Sequence, residues 1–157
     1  NSGIQIRSQV RPVAMTGRSF EAAAGRVNGP QVEIRRTYKG QPGTGLLYGE
    51  AMGTDWLSSQ QKIDEGHPHF VDDGWNKLRI VANGPRIQTW VNGHPVEDLA
   101  NDAIYKTHPR GFIGLQIHGL SEREVNLPVN AGSGITTSQP LVIRWRNIRI
   151  RPVPKAR

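Results

Sequence analysis

Hydrophobic and polar residues alternate with period two over several short runs of this chain, and the faces they define carry most of its information. In Gly111-Phe112-Ile113-Gly114-Leu115-Gln116-Ile117-His118-Gly119, Leu115 and Ile117 fall on one side of an extended strand and Gln116 and His118 on the other. The first side is built to pack; the second is free for chemistry. In Asn1-Ser2-Gly3-Ile4-Gln5-Ile6-Arg7 the same device sets Ile4 and Ile6 against Gln5 and Arg7, and in Gln31-Val32-Glu33-Ile34-Arg35 it sets Val32 and Ile34 against Glu33 and Arg35. If these strands are neighbours in one sheet, their polar pairs form a continuous patch of donors and acceptors suited to a hydroxyl-rich ligand.

Strands are expected over residues 3–8, 31–37, 46–50, 75–82, 86–91, 112–118 and 141–151, and 18 Gly and 11 Pro supply the turns between them. The chain therefore reads as all-β. Helical periodicity is scarce: residues 95–103 could make one short helix or turn, and residues 21–25 another. Asn83-Gly84 signals a reversal, with Pro85 implying a loop slightly longer than the tightest, and Asn92-Gly93 signals a second turn. Between them Trp90 stands on the more polar face of its strand, where it can pack in the protein or stack on a sugar ring. Residues 119–140 read as a long loop leaving the end of the His118 strand, suited to form one wall of a cleft.

Composition narrows the class. At 157 residues the chain fits one domain, and this length can bury a core without covalent staples. There is no cysteine, which excludes disulfides and thiolate metal sites. No apolar run approaches the roughly 20 residues needed to span a bilayer. Twenty Lys and Arg against 13 Asp and Glu give a net charge of +7, which permits an acidic polymer as partner. The basic residues are dispersed, however, and Arg144, Arg146, Arg149 and Arg151 are interspersed with Ile and Trp as on a half-solvated sheet face. Without an aromatic RNA-binding strand or a helix-turn-helix pattern, no specific nucleic acid is expected.

Most familiar catalytic devices are missing. There is no Gly-x-Ser-x-Gly elbow, and Gly40-Gln41-Pro42-Gly43-Thr44-Gly45 lacks the Lys-Ser/Thr ending of a phosphate loop and precedes a strand. A retaining glycosidase needs two carboxylates about 5 Å apart. Glu33 has Ile34 and Arg35 beside it instead, which argues against double displacement. Asp64-Glu65-Gly66-His67-Pro68-His69 has the donors of a metal site, but its proline and loop composition favour a surface turn, and Asp98 and Asp102 read as a solvated short helix.

Taken in order, Asn1-Ser2-Gly3-Ile4, Val32-Glu33-Ile34, Thr44-Gly45 with Leu47-Tyr48-Gly49, Trp75-Asn76, Asn92-Gly93, Gly114-Leu115-Gln116 with His118-Gly119, and Arg146-Asn147-Ile148-Arg149-Ile150 resemble the 3-keto-disaccharide hydrolase domain family. Each element is weak alone; their order over nearly the whole chain makes the match specific. The resemblance implies a two-sheet antiparallel jelly-roll sandwich of the concanavalin A-like type, a secreted or periplasmic bacterial setting, and a concave sheet that handles oxidised glycosides. Such domains carry strands before the Asn-Ser-Gly-Ile element. Residues 1–157 are thus expected to be a single β-sandwich domain cut from a longer one, its open sheet edge filled by a missing N-terminal segment or a second chain.

A keto group at sugar C3 acidifies the C2 proton, so that a base can remove it and the enolate can expel the C1 substituent; water can then add back to give net hydrolysis. On the resemblance, His118 is the expected base or acid and Glu33 the second proton-transfer group, with Glu33 and His118 also able to hold a divalent metal. Arg7 or a metal is expected to stabilise the enolate, and Arg7, Gln5, Arg35, Gln116, Trp90 and Tyr48 to bind the oligosaccharide or oxidised glycoside. Two other classes stay open on the residues alone: a lectin-like module that holds a sugar while no proton moves, and a structural or assembly subunit.

Overall fold

A computed structural model describes residues 1–13, 24–35, 43–72, 74–118 and 142–153. The expected loop at 119–140 and the expected turn or helix at 21–25 fall wholly or largely outside the described residues. Strands β1 (Ser2–Val10), β2 (Val27–Ile34), β3 (Leu47–Glu50) and β7 (Phe112–Ile117) form one antiparallel sheet in the order β3-β2-β1-β7. Strands β4 (Leu78–Asn83), β5 (Arg86–Val91) and β6 (His94–Ala100) form a second, with β5 central. The expected all-β, two-sheet antiparallel sandwich is therefore what the chain forms.

The alternation explains the core. Val32, Leu47, Ile6 and, at its margin, Ile4 project from the first sheet onto Ile87 of β5, with Leu78, Ile80 and Ala82 of β4 and Leu99 of β6 packed around them. Among the described residues that second sheet covers β1 to β3 but not β7, whose Leu115 and Ile117 remain 44 % and 64 % exposed. The side read as built to pack does face the sandwich layer, but it is not buried there.

Polar groups tie the layers together. Thr89, fully buried on β5, donates to the Gly45 carbonyl at 2.6 Å and accepts from the Glu97 amide at 3.2 Å. Glu97 is itself buried and takes Lys62 Nζ at 2.6 Å and the Ser58 hydroxyl, fastening helix α1 (Gln60–Glu65) to β6. Ser59 caps α1, whose one buried side chain is Ile63.

Several expectations need correction. The reversal after Asn83 is the two-residue loop Gly84–Pro85, since Asn83 and Arg86 are already paired, so Pro85 lengthens nothing. The expected strand at 75–82 begins only at Leu78. Residues 95–103 are mostly strand β6, and the helix α2 (Asp102–Thr107) starts later, capped by Asn101. Asp98 accordingly sits on a strand, bonded to Arg86 at 2.5 Å, and that guanidinium holds its carboxyl below the usual range. The expected strand at 141–151 is not formed over residues 142–153, where Ile148 and Ile150 are 59 % and 72 % exposed. Alternation marks a segment as able to be a strand; a ladder also needs a free edge within reach. The other turn, Asn92-Gly93, is as expected, with both residues at positive φ (52° and 91°).

In β1 the pairing slips by one residue between Gln5 and Gln9 against β2, and between Gln5 and Ser8 against β7. Arg7 lies in this bulge at φ 53°. The chain comes so close there that a Cβ on Gly111 would lie 2.2 Å from the Ser8 carbonyl oxygen. Past the bulge, β1 serves α2: Gln9 Nε2 donates to the Thr107 carbonyl at 3.0 Å. Next to it the buried His108 has Nε2 2.9 Å from Asn28 Oδ1 and Nδ1 2.9 Å from the Thr107 hydroxyl, which itself donates to the Ile104 carbonyl at 3.1 Å. Burial, and then the positive charge of Arg11, lower its pKa from the ordinary 6.5. A lowered folded-state pKa means that stability is complete above the unfolded value and is lost as pH falls toward the folded one. The thermal midpoint is expected to fall on acidification below pH 6.5 and His108→Gln to flatten that part of the profile, as melting curves across the range will show.

Candidate active site

Directly opposed residues on antiparallel strands share a face, so the pairing places the polar side chains of the first sheet. Gly3 of β1 lies opposite Glu33 of β2 on one side and Gln116 of β7 on the other; Gln5 lies opposite Gln31 and Gly114; Gln31 lies opposite Tyr48 of β3, and Gly29 opposite Glu50. All of these point away from the core. His118 follows β7 directly, its amide donating to the Asn1 carbonyl at 3.2 Å, and Arg35 follows β2, held by Thr44 Oγ1 through both its amide (3.0 Å) and its carbonyl (2.8 Å).

This face carries a cleft of about 310 Å³, lined by Glu33, His118, Arg35, Gln31, Tyr48, Trp56, Asp55, Glu50, Arg26 and Asn1. Its chemistry is predominantly polar. Glu33 is 3 % exposed and accepts from Gln31 Nε2 at 2.7 Å. Arg26 and Glu50 are paired at 2.5 Å. Trp56 meets Tyr48 edge-on, with ring centroids 5.4 Å apart, and the Tyr48 hydroxyl donates to Asp55 Oδ1 at 3.1 Å. An aromatic pair beside carboxylates and guanidinium groups offers both a ring platform and hydroxyl partners.

The sequence-derived residues divide. Glu33, His118, Arg35 and Tyr48 line the one cleft. Gln5 is buried beside Gln31, and Gln116 lies half-buried opposite Gly3; both belong to the cleft's face without forming its wall. Arg7 is not at the cleft, because the bulge turns it aside, its guanidinium lying 5.0 Å from the centre of the Tyr105 ring on α2. Trp90 belongs to the other sheet and points outward, with Arg79 4.2 Å over its ring. Strand alternation placed it correctly on its strand but could not say which layer the strand joins.

Other wall residues were missed, with signals of differing strength. Gln31 and Glu50 each lie two positions from a residue already singled out, Glu33 and Tyr48, so extending the alternation one step finds both. Trp56 sits in the turn-rich stretch after β3, joined to Tyr48 by a single isolated bridge, and Arg26 precedes β2; neither carries a local signature.

A metal centre fits poorly. Glu33 and His118 share the cleft, but among the described residues no group of three or more His, Asp or Glu side chains is arranged to hold a cation. The histidines of the 64–69 segment stack instead of converging: His67 on His69 at 5.3 Å, and His69 on His94 at 4.1 Å with rings 7° from parallel. Burial first, then the neighbouring His94 and His67, lower the His69 pKa.

A sandwich that keeps a buried acid, an imidazole and an aromatic pair in one polar cleft has the make-up of a domain handling sugars on a sheet face. The comparison with known families narrows this: the profile of the 3-keto-alpha-glucoside-1,2-lyase-like domain matches residues 1–151, and the chain belongs to that family. No curated protein matches the chain.

Proposed function

We propose that the cleft cleaves glycosides already oxidised at C3, by elimination across C1 and C2. The reading rests on one observation above others: in a member of this lyase-like family, Glu33 and His118 arrive from different strands at the same cleft. The keto group makes the C2 hydrogen acidic. The Glu33 carboxylate takes that proton, the C–H electron pair forms the C2=C3 enolate, and its collapse breaks the C1–O bond to leave a C1=C2 enone. The departing alkoxide needs a proton, which His118 supplies as the acid. Arg35, which lines the cleft where Arg7 does not, stabilises the developing oxyanion. Trp56 and Tyr48 receive the ring face. Addition of water to the enone converts the elimination into net hydrolysis.

The test is incubation with a 3-keto-glycoside in D2O. Release of the C1 alcohol, with deuterium entering C2 and no cleavage of the unoxidised glycoside, is the expected result. Binding without release of alcohol or exchange at C2 would leave a lectin-like module instead.

A further inference from the structure

We infer that Gln31 is a positioning residue that sets the Glu33 carboxylate in the cleft, and that Gly3 is the gap in which Gln31 is seated. This rests on the reading of the cleft as the site of proton transfer. Gln31 is 2 % exposed, and its Nε2 donates to Glu33 Oε2 at 2.7 Å. Its Oε1 is enclosed with no hydrogen-bond partner among the described residues. The opposite orientation of the carboxamide would turn an acceptor oxygen toward a carboxylate, so the charge on Glu33 dictates which end faces it. A buried acceptor without a donor is a feature that stability alone does not favour. It is the residue of an arrangement made for the carboxylate.

Gly3 explains how the side chain reaches this position. It stands on β1 directly opposite Glu33, and a Cβ there would lie 2.6 Å from Gln31 Cδ and 2.7 Å from both Gln31 Cγ and Nε2. Gly3 is not among the residues at positive φ, so space and not backbone conformation is what its missing side chain supplies. Alanine is therefore compatible with the strand at position 3, but not with Gln31 in its seat. The two-residue spacing of Gln31 and Glu33 keeps them on one face, and the glycine across the ladder lets the first lean over the second.

The experiment compares Gly3→Ala, Gln31→Ala and the double variant with the parent, after melting curves establish that each is folded. In the nitrogen-15 spectrum the Gln31 side-chain amide pair is expected to move on Gly3→Ala, and also on Glu33→Leu, which removes its acceptor. On a 3-keto-glycoside, Gln31→Ala should lower kcat about tenfold or more with KM within about twofold, as misplacement of a reacting group does. Gly3→Ala should act in the same direction and add nothing in the Gln31→Ala background, because its effect passes through the side chain then absent. An unmoved amide pair in Gly3→Ala, a full Gly3→Ala cost persisting without Gln31, or an unchanged kcat in Gln31→Ala would each overturn the inference. If the parent releases no alcohol, the enzymatic reading falls by itself, and the amide pair decides the seat: displaced by Gly3→Ala it stands, undisplaced it does not.

Discussion

His118→Ala is expected to slow alcohol release from a 3-keto-glycoside by about 10²- to 10⁴-fold, the range by which positioned proton-transfer groups accelerate reactions. The loss should fall on kcat more than on KM. The imidazole stands exposed just past the end of β7 and outside the core cluster, so removing it leaves the core packing intact. Steady-state kinetics beside a direct titration of ligand binding will separate the outcomes. A sugar-binding module would show a modest affinity loss, and a variant that turns over at the parent rate would remove His118 from the mechanism.

Leu47→Ala is expected to destabilise the fold by about 2–5 kcal/mol, the cost of a large-to-small change at a core site that cannot collapse. Leu47 is fully buried and belongs to the central cluster with Val32, Ile6 and Ile87 from both sheets. Its backbone amide accepts no relaxation either, being tied to Ser58 Oγ at 2.9 Å, while its carbonyl receives the amides of Leu57 at 2.9 Å and Ser58 at 3.1 Å. A urea titration measures the loss as a lower midpoint at unchanged slope. Because Tyr48 follows on the cleft side, the same variant is also expected to loosen the aromatic wall.

The faces of the first sheet were legible because strand alternation is a local property. Ile4, Val32 and Glu33 need only their immediate neighbours to be assigned to a side, and the order β3-β2-β1-β7 then assembles the polar side into one surface. What escaped depends on distant partners. Arg7 was assigned by counting two from Gln5, a count that fails where β1 takes in an extra residue, and that extra residue is defined only against β2 and β7. β6 was hidden because its inward positions include Glu97, an acid that looks solvent-bound until Lys62, 35 residues earlier, is brought to it. α1 has one buried residue, too few for a helical period to register. The cleft was half legible for the same reason: Glu33, Arg35 and His118 follow from period two, whereas Trp56 and Arg26 reach it from turns and strand ends whose path no local pattern fixes.

The slip in β1 divides one strand between two employers. Residues before it answer to the cleft and those after it to α2, so the two halves are free to vary under separate demands. A homologue in which the strand ran straight would carry its seventh side chain onto the reactive surface. A guanidinium there would sit among groups that must hand protons back and forth, and the irregularity keeps that charge out.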